Sequence, residues 1–189
     1  MAFRNDQVSQ EETEKILELA RRSLTGSGDF VELGCYKGDT SLLLAEILKG
    51  SGKQLYIYDS FEGLPEKSEK DSSTLGENFK SGELYVTKRE VKERFLRAGL
   101  PVPVIKKAWF NELTDVDLPE RISFSFLDGD FYESIRDSLK LVEDKTDGII
   151  VVHDYLNPAL PGVKKAVDEW LQNRNIKTKT YKSMIIIND

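Results

Sequence analysis

The sequence predicts an α/β protein built on a doubly wound, mostly parallel sheet of seven strands, with an antiparallel strand at its C-terminal end. Three observations predict it. Short apolar runs alternate with amphipathic helical stretches along most of the chain, the pattern of repeated βα units. The first such run, Phe30-Val31-Glu32-Leu33, crosses Gly34 and Gly38 and turns at once into Ser41-Leu42-Leu43-Leu44-Ala45-Glu46-Ile47-Leu48, a strand, a tight turn and a helix. Ile149-Ile150-Val151-Val152 is apolar throughout, as expected of a central strand covered on both faces.

With 189 residues the chain is read as one domain over 1–189, large enough for a full core. Its 39% hydrophobic and 32% charged residues fit a soluble globular protein. No apolar run approaches the ~20 residues of a membrane helix. Met1-Ala2-Phe3-Arg4-Asn5-Asp6-Gln7 lacks the apolar core of a signal peptide, so the expected setting is cytoplasmic, with no membrane partner. The single cysteine, Cys35, excludes an intramolecular disulfide and a multi-cysteine metal site. A net charge of −6 argues against nucleic acid as the partner, because phosphate binding wants basic patches.

Taken in order, residues 1–28 form an N-terminal helical segment. Its helix runs from Gln10 to Leu24 with Ile16, Leu17, Ala20 and Leu24 on one face, and Ser9 or Glu11 near its start. Thr25-Gly26-Ser27-Gly28 delivers the chain into the first strand. The helix from about Thr40 to Leu48 stops at Gly50-Ser51-Gly52. Gln54-Leu55-Tyr56-Ile57-Tyr58 is the second strand and ends on Asp59. From 60 to 82 the periodicity dissolves, and a loop of this length inside a compact domain is read as a mobile lid. Thr87-Lys88-Arg89-Glu90 has capping-box spacing and opens a helix with Val91, Phe95 and Ala98 on one face, ended by Gly99. A short strand follows at Val102–Ile105, then Ala108-Trp109-Phe110.

Arg121 to Leu127 is nearly continuous β-formers and leads to Asp128-Gly129-Asp130. A helix from Glu133 to Val142 precedes the Ile149–Val152 strand, which ends in His153-Asp154-Tyr155. After Pro161-Gly162, residues Val163, Ala166, Val167, Trp170 and Leu171 mark a helix with one core face. Thr178 to Tyr181 and Met184 to Ile187 read as two last strands, paired as a hairpin.

In such sheets ligands sit outside the carboxyl ends of the strands. The polar residues predicted there are Glu32, Gly34 and Gly38 after the first strand, Asp59 after the second, Asp128 and Asp130 after the fourth, and His153 and Asp154 after the fifth. Each acid alone has a commoner use as an N-cap or salt-bridge partner. Several together need a cationic or polyhydroxyl ligand to offset their repulsion. Asp59 follows the glycine turn at about the 20-residue spacing of an acid that hydrogen-bonds ribose hydroxyls. A dinucleotide site would show a third glycine, so the turn favours a ligand with no pyrophosphate to cradle. Asp128, His153 and Asp154 combine two carboxylates with the chain's one imidazole. A buried hydrogen-bonded histidine and a metal ligand are equally open readings of His153. Oxygen-rich ligation with one imidazole suits Mg²⁺, Mn²⁺ or Fe²⁺ better than structural zinc.

The stretch Phe30-Val31-Glu32-Leu33-Gly34-Cys35-Tyr36-Lys37-Gly38-Asp39-Thr40-Ser41 resembles the S-adenosylmethionine-binding motif of class I methyltransferases. Asp59-Ser60-Phe61-Glu62-Gly63-Leu64-Pro65, Leu127-Asp128-Gly129-Asp130-Phe131-Tyr132-Glu133-Ser134, His153-Asp154-Tyr155 and the ending Pro161 to Trp170 resemble the macrocin O-methyltransferase family in particular. The resemblance runs from about 29 to 171. It implies the Rossmann-like class I methyltransferase fold and a hydroxylated small-molecule acceptor, a sugar or natural-product scaffold. It implies S-adenosylmethionine bound by Glu32, Gly34, Tyr36, Gly38 and Thr40, with Asp59, Ser60 and Phe61 toward the ribose and Trp109 and Phe110 close to the adenine. It implies a magnesium ion on Asp128, His153 and Asp154, with Asp128 also the general base.

Two departures stand out. The family usually has Asp-Asp-Tyr where this chain has His153-Asp154-Tyr155, which shifts metal preference toward Mn²⁺ or Fe²⁺. Family members also carry a longer region before the first strand, so cover for the acceptor is expected from the 60–82 loop, the N-terminal helix or the second subunit of a homodimer. Two other functions fit parts of the pattern. Asp128-Gly129-Asp130 is also the D-x-D string of a metal-dependent glycosyltransferase, though that leaves the glycine turn without a task. A non-catalytic S-adenosylmethionine-binding module would follow if His153 breaks the metal site. A phosphatase of the Asp-x-Asp type fits worse, because its nucleophile belongs at the first strand.

Overall fold

A computed structural model describes residues 7–189, so the reading of Met1–Asp6, and with it the first part of the 1–28 segment, lies outside the described residues. The elements follow the predicted alternation: α1 (Gln10–Ser23), β1 (Asp29–Leu33), α2 (Asp39–Leu48), β2 (Leu55–Asp59), α3 (Lys88–Ala98), β3 (Val104–Lys107), β4 (Ile122–Leu127), α4 (Tyr132–Val142), β5 (Thr146–Val152), α5 (Pro161–Leu171), β6 (Thr178–Tyr181) and β7 (Met184–Ile187). One seven-stranded sheet runs in the order β3-β2-β1-β4-β5-β7-β6. β1 to β5 are parallel, and β7 pairs antiparallel with both β5 and β6.

Strand pleating sorts the core into two layers. Phe30, Phe124, Phe126 and Val151 meet α1, α2 and α3 on one face. Val31, Leu33, Leu127 and Val152 meet α4 and α5 on the other. Helix starts follow local chemistry. Ser9 with Glu12 and Thr87 with Glu90 form reciprocal capping boxes, and Gly99 closes α3 in the left-handed conformation at φ 68°.

Two strands differ from expectation. The third starts at Val104 rather than Val102, because Pro101 and Pro103 flank the predicted start and proline has no N–H for a ladder. β5 is interior, between β4 and β7, whereas the central strand is β4, all of whose residues are buried. β4 also carries Ser123 and Ser125 in its run, and these hide its burial from a count of apolar residues. Their hydroxyls are satisfied: Ser123 Oγ donates to the Gly28 carbonyl at 3.0 Å, and Ser125 Oγ lies 3.3 Å from Thr146 Oγ1.

The 60–82 loop is hydrogen-bonded at its base. Its base closes on itself, with Leu64 N–H donating to Glu83 O at 2.8 Å and Gly82 N–H to Leu64 O at 2.9 Å. Two 3₁₀ turns, Glu69–Asp71 and Thr74–Gly76, occupy its middle. Asp71 is buried and accepts the Tyr132 backbone N–H at 2.7 Å, so it caps α4 from outside the helix. Among the described residues no helix is long and apolar enough to cross a membrane.

Candidate functional site

The parallel register brings the ends of four strands to one level. Leu33 stands opposite both Tyr58 and Leu127, and Leu127 opposite Val152. The ladder continues one step past the strands: Gly34 N–H donates to Tyr58 O at 2.9 Å, Asp128 N–H to Leu33 O at 2.9 Å, and His153 N–H to Leu127 O at 3.0 Å. Glu32, Gly34, Asp59, Asp128 and His153 therefore share one sheet edge.

The glycine turn is shaped by its backbone and held by side chains around it. Gly34 has φ 88°, and a Cβ there would lie 2.0 Å from the Asp128 carbonyl oxygen, so only glycine fits between the β1 and β4 ends. Cys35 and Tyr36 follow, and Gly38 caps α2 at φ 80° with its N–H on Cys35 O at 2.7 Å. Asp59 reaches back into this turn. Its Oδ2 accepts from Cys35 N–H at 2.8 Å and Tyr36 N–H at 3.2 Å, and its Oδ1 from Phe61 N–H at 2.7 Å. On the outer side Arg94 of α3 bonds the Lys37 carbonyl and Asp39. The turn is thus set by side chains from β2 and α3.

Beside it opens a cleft of about 1110 Å³, including space continuous with solvent. Of the residues expected to bind a donor, Glu32, Gly34, Tyr36, Thr40, Asp59 and Ser60 line it. Trp109 and Phe110 form its apolar wall. Gly38 and Phe61 do not line it. Gly38 packs under α3, where a Cβ would sit 3.2 Å from Val91, and Phe61 is a core side chain, 3% exposed. Their places are explained by chain geometry: Gly38 by its left-handed cap, Phe61 by an apolar ring that the turn directs inward.

The far side of the same cleft is acidic. Asp128, Asp130, Asp154 and His153 line it together. His153 Nδ1 is 3.0 Å from Asp128 Oδ1 and 3.1 Å from Asp154 Oδ2. Burial pushes the imidazole pKa down, but the Asp128 carboxylate, with Asp154 and Glu12, more than reverses this and holds it well above the usual value. Asp130 is held well above the usual carboxylate range by burial and by the charges of Asp128 and Asp154. Glu32 is raised to about 8, first by burial, then by nearby Asp128 and Asp59, against a hydrogen bond from Ser41 that favours the anion.

Glu12 was not legible as part of this edge. It is 6% exposed, and its Oε2 lies 3.9 Å from His153 Nε2. The Ser9-x-x-Glu12 spacing signals a capping box but not the histidine beyond it.

The donor spacing at Asp128, His153 and Asp154 fits a divalent ion. One donor atom from each lies within 4.8 Å of the others, and neighbouring ligands of an octahedral ion with bonds of 2.0–2.1 Å stand about 3 Å apart. Two oxygens and one imidazole suit Mn²⁺ or Fe²⁺ as well as Mg²⁺.

A seven-stranded sheet with an antiparallel β7, and a glycine turn facing acids at the ends of β4 and β5, define the class I methyltransferase type of α/β protein. The chain belongs to the macrocin-O-methyltransferase (TylF) family, which it matches over residues 12–184. It is 29% identical over 154 residues to the 8-demethyl-8-(2,3-dimethoxy-alpha-L-rhamnosyl)-tetracenomycin-C 4'-O-methyltransferase of Streptomyces olivaceus, a match covering 76% of this chain and 58% of that protein. Demethyldecarbamoylnovobiocin O-methyltransferase of Streptomyces niveus is 28% identical over 153 residues, with the same shares of 76% and 58%. The chain thus spans less than two thirds of the length of these curated relatives. The structure of the O-methyltransferase NovP superposes with a TM-score of 0.80 at 24% identity, over 94% of this chain and 78% of that one, a likeness of fold.

Proposed function

We propose that this chain is an S-adenosylmethionine-dependent O-methyltransferase acting on a hydroxyl of a small molecule, a sugar or glycosylated natural-product scaffold, with help from a divalent cation. The observation that carries the reading is one cleft with two unlike sides: a backbone turn held by Asp59, and an Asp128–His153–Asp154 cluster opposite it. Both named relatives are O-methyltransferases, and the tetracenomycin enzyme's name specifies a rhamnosyl-bearing substrate.

S-adenosylmethionine supplies a methyl group on a sulfonium. Cys35, Tyr36 and Thr40 line the cleft on the turn side and Trp109 and Phe110 on its apolar side; the first group would hold the donor and the second would shield its aromatic end from water. Asp59, Asp128 and Asp154 line the cleft, and their carboxylates favour a cationic donor. Asp128 would take the proton of the acceptor hydroxyl, and the oxygen would then receive the donor's methyl group, with S-adenosylhomocysteine as the leaving group. A cation held by Asp128, His153 and Asp154 would lower that hydroxyl's pKa.

Calorimetry with S-adenosylhomocysteine, followed by methyl-transfer assays over sugar and phenol acceptors with Mg²⁺ and Mn²⁺, tests the reading. Donor binding and metal-stimulated turnover are expected. Binding of UDP in place of S-adenosylhomocysteine would replace it with the glycosyltransferase alternative, and donor binding without turnover on any acceptor would favour a binding module.

A further inference from the structure

The family-like cluster at the ends of β4 and β5 contains an imidazole whose two nitrogens face different carboxylates. Nδ1 faces Asp128 and Asp154 at 3.0 and 3.1 Å. Nε2 faces Glu12, which arrives from α1, at 3.9 Å. His153 itself is 5% exposed, so neither nitrogen exchanges these neighbours freely for water.

Glu12 is unusually well fixed for a side chain near the start of a helix. Its Oε2 accepts from the Ser9 N–H at 3.3 Å and the Ser9 hydroxyl at 2.6 Å. Its Oε1 accepts from the Ser183 N–H at 3.0 Å and the Ser183 hydroxyl at 2.6 Å. Ser183 sits in the turn between β6 and β7, which the antiparallel register sets beside the β5 end. Each of these partners donates, so the carboxylate is needed as an anion. The Nε2 contact at 3.9 Å is an ion-pair approach, longer than a direct hydrogen bond.

We propose that Glu12 is a positioning residue for His153: it draws the imidazole proton to Nε2 and so leaves Nδ1 to join Asp128 and Asp154 around a divalent cation. The inference rests on the metal reading given under Proposed function. The physical reason is tautomer choice. Without a metal, a proton on each nitrogen answers the carboxylates on both sides, which can only accept. A divalent cation would take the place of the Nδ1 proton, and the one N–H left would be the Nε2–H on the Glu12 side, with Nδ1 and the Asp128 and Asp154 oxygens converging on the ion. A carboxylate behind a ligating histidine fixes its ring orientation and raises its basicity. Glu12 would thus make an imidazole a workable substitute for a third carboxylate.

The test is Mn²⁺ binding by isothermal titration calorimetry to the full chain in four forms: wild type, Glu12→Gln, His153→Asp and the double variant. Glu12→Gln keeps size and an acceptor oxygen for Ser183, and thermal melting confirms that it folds. It is expected to weaken Mn²⁺ about 10- to 100-fold. In the His153→Asp background, where there is no imidazole to orient, the same change should cost nothing or strengthen binding. The chain's one histidine gives a second readout, since ¹⁵N NMR of the Zn²⁺-loaded protein should show an Nε2–H tautomer in the wild type and lose its dominance in Glu12→Gln. Equal weakening in both backgrounds would reduce Glu12 to a structural residue and overturn the proposal, as would an unchanged affinity in Glu12→Gln. Absence of Mn²⁺ binding by the wild type would overturn the metal reading itself, and this proposal with it.

Discussion

The two sides of the cleft are built by opposite means. On the β1 and β2 side, main-chain amides are pinned by a side chain, so that Asp59 gathers the N–H groups of Cys35, Tyr36 and Phe61 into a fixed shape. On the β4 and β5 side the strands only deliver side chains, and the balance of charge among Asp128, Asp130, Asp154, Glu12 and His153 decides what can occupy the space. The first depends on one carboxylate and on the backbone shape it holds, the second on which side chains the strand ends carry. His153 keeps its own N–H in the sheet ladder on Leu127 O, so its side chain alters the cluster without altering the strand.

Asp128→Asn should separate the two sides most sharply. Loss of the proton acceptor is expected to lower kcat by about 10²- to 10⁴-fold with the affinity for S-adenosylhomocysteine unchanged, as measured by single-turnover kinetics and calorimetry. Retained turnover would remove Asp128 as the base. Gly34→Ala should break both sides at once, because its Cβ would enter the Asp128 carbonyl. The left-handed strain and the overlap together predict a loss of roughly 2–5 kcal/mol in urea unfolding, and a variant as stable as wild type would show that the β1 and β4 ends are not locked.

Asp59→Ala acts on the turn alone. It leaves three backbone donors without their partner, and donor binding should weaken by ~1–3 kcal/mol with a stability loss of similar size. If donor affinity falls and stability does not, Asp59 acts on the ribose and not through the turn. Glu32 gives the finest comparison, through pH. The folded protein keeps the Glu32 proton to about 8 whereas the unfolded chain releases it near 4.5. The folded state binds more protons between those values, so donor-free stability should fall as pH rises through that window. Glu32→Gln should flatten the fall in a series of thermal melts, and an unchanged slope would place the titration elsewhere.

Most of the sheet was legible because βα alternation and the Gly34–Gly38 turn are local signals. The positions of Asp128 and His153 at one edge followed from them, since parallel strands end at one level. What was hidden depends on partners distant in sequence. Gly34 answers to a carbonyl on β4, and Asp59 has the spacing of a ribose ligand but gives its oxygens to the turn's amides. Glu12 follows the Ser9 and Glu11 read as the start of the first helix, and only the β6–β7 turn and the β5 end reveal its use beyond the cap. Asp71 reads as one polar residue in a shapeless loop, yet it caps α4. In each case the short-range signal is incomplete, because the partner lies far off in sequence and one carboxylate can serve several donors at once.

The clasp at the base of the 60–82 loop has a consequence for how such a protein diversifies. Leu64 bonds both Gly82 and Glu83, and Asp71 and Ser73 pin the intervening chain to α4 and to Pro158, so the segments on either side of those two pins are the parts free to vary. Changing their length alters closure entropy only logarithmically, about 0.6 kcal/mol for each doubling, and leaves the strand ends where they are. Pro65 and Phe79 inside these segments line the cleft. Insertions, deletions or grafts there can redraw one rim of the binding space while the donor turn and the sheet are inherited unchanged.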